Sequence, residues 1–208
     1  MLTTNTKQDQ KVPSLGQYDP VDDYLNHLVE TVQRIPREQI WEVVRVLYRA
    51  WQQGKCIFIF GNGGSAATAS HMVNDLSKLT IVSGKPRLKV FGLNDNVPLM
   101  TAWGNDTEYA NIYAEQLANL VAPGDVVIGI STSGNSANIL RAMAVAHQQS
   151  AICVGLTGND GGKLKDMVDY CIFIPDEHHG RQEDGHMILD HIIAIALRWM
   201  ITGGGEQS

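Results

Sequence analysis

A chain of 208 residues, 44% of them hydrophobic, suits one domain with a sizeable core. Its formal charge of −6 and sequence pI of about 5.6, with no run of lysine or arginine, exclude a basic nucleic-acid footprint, so a small anionic ligand must be held by local dipoles. No uninterrupted apolar stretch reaches the roughly twenty residues that span a bilayer, because Asp190, His191 and Arg198 break up the longest one.

Residues 1–18 are polar and predict a flexible N-terminal tail, residues 19–202 a single domain, and residues 203–208 a short C-terminal tail. Val21, Tyr24, Leu25, Leu28, Val32 and Ile35 recur at helical spacing until Pro36. Ile40, Val43, Val44, Leu47 and Trp51 repeat the pattern until Gly54. The apolar faces of this helical pair can pack on the chain's own sheet or on another subunit.

Short β-rich runs follow at Cys56–Phe60, Leu88–Leu93, Val126–Ile130, Ile152–Leu156 and Cys171–Ile174, separated mostly by helix-like stretches. Apolar strands without alternation imply a parallel sheet covered on both faces. The expected fold is therefore a three-layer αβα domain on a five-stranded parallel sheet, in which ligands sit at the carboxyl ends of the strands. Cys56, Cys153 and Cys171 lie within these runs at no zinc or redox spacing, and predict reduced thiols in a cytoplasmic protein.

Two strand-to-helix turns at that edge are suited to a phosphate. Ser131-Thr-Ser-Gly-Asn-Ser136 leads into a helix over Ala137–His147, so hydroxyls and unpaired N–H groups meet at the positive end of a helix dipole. Ser136 also fits an ordinary N-cap, which would make the turn purely structural. Gly61-Asn-Gly-Gly-Ser65 precedes an alanine-rich helix that begins near Ala66. This turn lacks the last glycine of the dinucleotide fingerprint and is followed by no Walker lysine, which argues against a nucleotide cofactor. Leu156-Thr-Gly-Asn-Asp-Gly-Gly162 supplies a third turn at the same edge.

His71 and Asp75 are spaced i, i+4 on the helix after the first turn, where they can share a metal or a proton. The last helical run, Arg181–Ile201, concentrates Glu183, Asp184, His186, Asp190 and His191 in its first half and is nearly apolar beyond. His71, Asp75, Glu183 and His191 together form a donor set that zinc or another divalent metal accepts.

These motifs, with Gly104-Asn-Asp106 and the terminal Glu-Asp-x-His-x4-His run, resemble the sugar isomerase (SIS) family in order from Val21 to Met200. The resemblance implies a flavodoxin-like sheet in a homotetramer with sites between subunits, and a zinc-containing centre in many members. It also implies interconversion of sedoheptulose 7-phosphate and D-glycero-D-manno-heptose 7-phosphate through an enediol. By position, Ser131, Thr132, Ser133 and Ser136 would hold the phosphate. Asn62, Gly63 and Ser65 would hold substrate oxygens, and Asp106 would lie near the sugar. His71 and His191 match the family's metal-binding histidines, and Asp75, Glu183 and His191 are the acid–base candidates. Asp75 stands where the best-studied members have glutamate, Glu183 where they have glutamine, and Gly180 where some have an acid. The same fold also serves non-catalytic members that bind a sugar phosphate or an initiator protein of the DnaA type, and isomerases of other phosphosugars.

Overall fold

The computed structural model describes residues 18–204. Of the expected tails, residues 1–17 and 205–208 lie outside the described residues. Helices α1 (Pro20–Arg34) and α2 (Arg37–Gln52) open the fold, with Asp19 capping α1 through its carboxylate and Pro36 separating the two. β1 (Cys56–Gly61), α3 (Gly64–Lys78), β2 (Lys89–Gly92), α4 (Val97–Asp106) and α5 (Ala114–Leu120) follow. β3 (Val126–Ser131), α6 (Ala137–Gln148), β4 (Ile152–Gly158), β5 (Tyr170–Ile174) and α7 (His179–Ile201) complete the chain.

All strands pair in parallel, in the order β2-β1-β3-β4-β5. The expected parallel sheet is thus observed, and its order reverses between β1 and β3. That reversal opens a crevice beyond the strand carboxyl ends, where doubly wound folds bind ligands. Register places Gly61 opposite Ile130 and Ser131 opposite Thr157, so the three turns leave the sheet side by side.

Alternate side chains of each strand serve opposite layers. Ile57, Ile59, Val126, Ile128, Val154 and Ile172 face a core with α2, α3 and α7. Phe58, Phe60, Val127 and Cys153 face a second core that includes Leu117 of α5 and Ile139 and Met143 of α6. At about 25 cal/mol per Å² of apolar surface removed from water, these two layers are the main driving force for folding.

The helical pair divides its roles. α2 buries Ile40, Val43, Val44, Val46, Leu47 and Ala50 against the chain's own domain, whereas α1 buries only Thr31 and leaves Val21, Leu25 and Val29 exposed. The cysteines are unpaired. Cys153 is buried and desolvation pushes its thiol up to about 12, while Cys56 and Cys171 are half-buried.

Candidate active site

The serine turn closes where β3 runs out. The Gly134 N–H donates to the Ser131 carbonyl at 3.1 Å, and Gly134 adopts φ +60°. A Cβ at Gly134 would overlap the Gly161 carbonyl, so the second and third turns pack backbone to backbone. Three further bonds join them: Gly158 N–H to Thr132 O at 3.0 Å, Leu164 N–H to Gly134 O at 2.9 Å, and Lys163 N–H to the Asn135 side-chain oxygen at 3.2 Å. Ser136 sits at the N-cap position of α6 but makes no side-chain capping bond. Its hydroxyl faces that of Ser131 at 3.4 Å instead. The hydroxyl thus leaves the positive end of the helix open to an anion rather than closing it.

The glycine turn is clamped from behind. Asn94 accepts from the Gly61 N–H at 3.2 Å and donates to the Gly61 carbonyl at 2.8 Å. The Tyr113 hydroxyl also donates to that carbonyl, and burial pushes its phenol up to about 12. Asn62 and Asn138 exchange amide hydrogen bonds at 2.8 and 2.9 Å, tying this turn to α6. The Asn62 side chain is thereby largely engaged within the protein. Gly63 is exposed at φ +55°, and Ser65 is buried in the first turn of α3. Asp106 ends α4, exposed, and accepts from the neighbouring Asn105 amide at 2.9 Å.

α3 and α7 pack together and bring His71, Asp75, Asp190 and His191 into one group, with one ligand atom of each within 4.8 Å of all the others. His71 Nε2 lies 3.6 Å from Asp75 Oδ2, 3.3 Å from His191 Nε2 and 4.0 Å from Asp190 Oδ2. His191 Nε2 is 3.8 Å from Asp75 Oδ2. Both imidazoles are exposed on one edge of the group, and both aspartates are buried beneath. Neither oxygen of Asp190 has a hydrogen-bond partner. Burial, and then the Asp75 charge, push the Asp190 carboxyl up to about 7.

Two imidazoles and two carboxylates, one of them buried without a partner, fit a divalent cation such as zinc. The structure places His71, Asp75 and His191 side by side. Asp190, named in the polar cluster of the last helical run but left out of the donor set, joins them. Glu183 lies outside the group, exposed, with its carboxylate over Gly64 so that a Cβ there would overlap it.

His186 and the Asp176 network position α7. His186 is fully buried, donates from Nε2 to the Thr157 carbonyl at 2.9 Å, and is pushed down to about 4 by desolvation. Asp176 accepts from Arg181 Nε at 2.7 Å and Nη2 at 2.9 Å, from the His178 N–H at 2.8 Å, and from the Thr31 hydroxyl. The Tyr24 hydroxyl donates to Asp184 at 2.6 Å, a bond that leads in raising its phenol to about 12. A second group of His147, Cys153 and Asp169 is engaged internally: His147 with the Met167 carbonyl, and Asp169 with the Cys153 N–H.

A doubly wound α/β domain with two phosphate-friendly turns at its switch point and a histidine–carboxylate group on its flank defines a sugar-phosphate-handling class. A family model described as SIS domain matches residues 22–158, and the chain belongs to the SIS domain family. Its relatives include phosphoheptose isomerases. That of Geotalea daltonii is 36% identical over 85% of this chain and 91% of its own length. That of Aneurinibacillus thermoaerophilus is 38% identical over 76% of this chain and 79% of its own. The solved phosphoheptose isomerase of Neisseria gonorrhoeae superposes with a TM-score of 0.79 at 28% identity, over 85% of this chain and 96% of that one.

Proposed function

We propose that this chain is an aldose–ketose isomerase interconverting sedoheptulose 7-phosphate and D-glycero-D-manno-heptose 7-phosphate. The observation that carries the reading is the grouping of a carboxylate and an imidazole, Asp75 and His191 at 3.8 Å, where each can serve a bound substrate as an acid or a base, in a chain whose relatives are phosphoheptose isomerases. A module that only binds a sugar phosphate or an initiator protein needs no such pair, and the named relatives favour the enzyme.

In this reading the hydroxyls of Ser131, Thr132, Ser133 and Ser136, with the open N-terminus of α6, hold the phosphate. Asn62, Gly63, Ser65 and Asp106 border the sugar, and Glu183, poised over Gly64, accepts from its hydroxyls. Asp75 removes a proton from C1 of the ketose, and that electron pair forms the C1–C2 double bond as the carbonyl oxygen takes a proton from His191. The enediol then gives its O1 proton back to His191 while Asp75 returns its proton to C2, which completes the aldose. Binding energy from the remote phosphate orients the reacting carbons, so the serine turn governs turnover as well as affinity.

His71 and His191, with a carboxylate of the same group, would hold the ion. Bound there, zinc supplies a Lewis acid that polarises the carbonyl and stabilises developing negative charge. Incubating metal-free and zinc-loaded protein with sedoheptulose 7-phosphate and following the aldose by NMR tests this. Turnover in the zinc-loaded sample is expected. No turnover in either sample would refute the isomerase, and equal turnover in both would remove zinc from the mechanism.

A homotetramer with sites between subunits accounts for the exposed apolar residues of α1 and for Trp41, Ile192, Ile195 and Trp199. No helix among the described residues is long and apolar enough to cross a membrane. Unpaired thiols in the strands support a cytoplasmic setting.

A further inference from the structure

We infer that Asn138 is a positioning residue for the isomerisation: its amide holds the glycine turn, which borders the sugar, in fixed relation to the serine turn, which takes the phosphate. This rests on the isomerase reading and on the phosphate lying in the serine turn.

A sugar phosphate gripped at its phosphate and reacting at the far end needs the two turns to keep their separation while the proton moves. The serine turn and the third turn are joined through their backbones. The Gly158 N–H donates to Thr132 O, the Leu164 N–H donates to Gly134 O, and Gly134 lies directly on Gly161. The glycine turn has no such support. β1 and β3 pair as far as Gly61 and Ile130. Among the described residues, the only side-chain hydrogen bonds from residues 62–65 to residues 131–138 are those between Asn62 and Asn138. Two glycines, Gly63 and Gly64, follow Asn62, so the backbone itself adds little stiffness there.

The pair fixes orientation as well as distance. Asn62 Nδ2 donates to Asn138 Oδ1 at 2.9 Å, and Asn138 Nδ2 donates back to Asn62 Oδ1 at 2.8 Å. Asn138 is 2% exposed in the first turn of α6, so its amide has to be bonded within the protein. From the opposite side the Tyr109 hydroxyl donates to Asn62 Oδ1 at 3.2 Å. The oxygen of Asn62 therefore faces protein donors, and what its side chain offers a sugar is the second N–H of its amide.

A purely local role for Asn138 is to satisfy the start of α6, because its Oδ1 also accepts from the Ile139 N–H at 3.0 Å. That role needs only the oxygen. The bond from Nδ2 does nothing for α6 and reaches 76 residues back along the chain to the other turn.

Full-length protein assayed with sedoheptulose 7-phosphate, and titrated separately with inorganic phosphate, tests the assignment at a temperature well below the melting point of every variant. Asn138→Ala is expected to lower kcat by about 100-fold, the scale of a displacement of about 1 Å. It should weaken sedoheptulose 7-phosphate binding by less than that and leave inorganic phosphate affinity unchanged, because the serine turn keeps its own backbone bonds. Asn138→Ser, whose hydroxyl can still serve a first-turn N–H but is too short to reach Asn62, should lose as much activity. In Asn62→Ala the partner is already gone, so adding Asn138→Ala should cost nothing further. Wild-type kcat in Asn138→Ser, losses that multiply in the double variant, or a fall in inorganic phosphate affinity that parallels kcat would overturn the inference. Wild type that binds sedoheptulose 7-phosphate without converting it would sink the isomerase reading. In that case equal affinity of wild type and Asn138→Ala for the sugar phosphate would overturn the inference as well, and a loss confined to the sugar phosphate would support it.

Discussion

Asp176→Asn should loosen the start of α7 and show how firmly that helix is held. Asp176 is 8% exposed and receives two hydrogen bonds from Arg181, one from the His178 N–H and one from Thr31 of α1. The Arg181 guanidinium leads in holding its carboxyl well below the usual carboxylate range, with the Thr31 hydroxyl and the His178 amide adding to it. Asparagine keeps the shape but sets an amide N–H₂ against those donors and strands the guanidinium. Breaking a buried ion pair from one side costs about 3–5 kcal/mol. The Arg181 side chain retains 15% exposure, which puts the cost near the low end. For a chain of this length each kcal/mol moves Tm by about 2–4 °C, so a loss of about 3 kcal/mol corresponds to a fall of about 6–12 °C.

The pH dependence follows from the sign of the shift. The folded carboxyl is depressed below its ordinary value, so its contribution is fully present above the unfolded pKa and fades as pH falls through the folded one. Urea denaturation of wild type and Asp176→Asn between pH 7 and pH 3 should therefore give a constant gap down to about pH 5 that narrows below about pH 4. A Tm difference under about 2 °C at pH 7, or a gap unchanged at pH 3, would refute the assignment of this stability to the buried ion pair.

Gly134→Ala is expected to lower both Tm and phosphosugar affinity, since its φ of +60° and the Gly161 backbone leave no room for a methyl group. Calorimetric titration with a ketose phosphate checks the affinity, and unchanged binding would show that the serine turn tolerates losing its contact with the third turn. Ile195→Glu, at an exposed α7 position beside Trp199, is expected to break the proposed tetramer into smaller species and to abolish the proposed isomerisation. Light scattering after size exclusion reads the first effect. Full activity in a dissociated variant would refute shared sites.

Much of this architecture was legible in the sequence because its strands are buried on both faces. Apolar runs such as Val126–Ile130 leave little choice but a parallel central strand, and β3 differs from that run only by extending to Ser131. The β2 run was legible in place but overlong, and it shortens to Lys89–Gly92 at the sheet edge. Helix starts were less visible: α3 begins at Gly64 rather than near Ala66, because Gly63 supplies the positive φ that lets the chain turn early. His71 and Asp75 were legible as a pair through local spacing alone. Asp190 was not, since what distinguishes it is the absence of a partner after α3 and α7 have packed. Nor does local sequence reveal that Asn138 of α6 engages the Asn62 amide, 76 residues away.

The same helices explain why one chain presents its site in two pieces. The crossover from β1 to the parallel β2 sends α3 back along the sheet, away from the carboxyl edge. His71 therefore lies about 10 Å down the α3 axis from Gly64, on a flank shared with Ile192 and Ile195 of α7, whereas the serine turn stays at the edge itself. Within one chain the serine turn and the histidine–aspartate group consequently open toward different surroundings. In the proposed assembly a second copy would cover the apolar flank beside the exposed imidazoles, excluding water from the proposed proton-transfer group and supplying a wall for the substrate. Assembly and catalysis would then be coupled through α7, which carries Glu183 and His191 before Ile195 and Trp199.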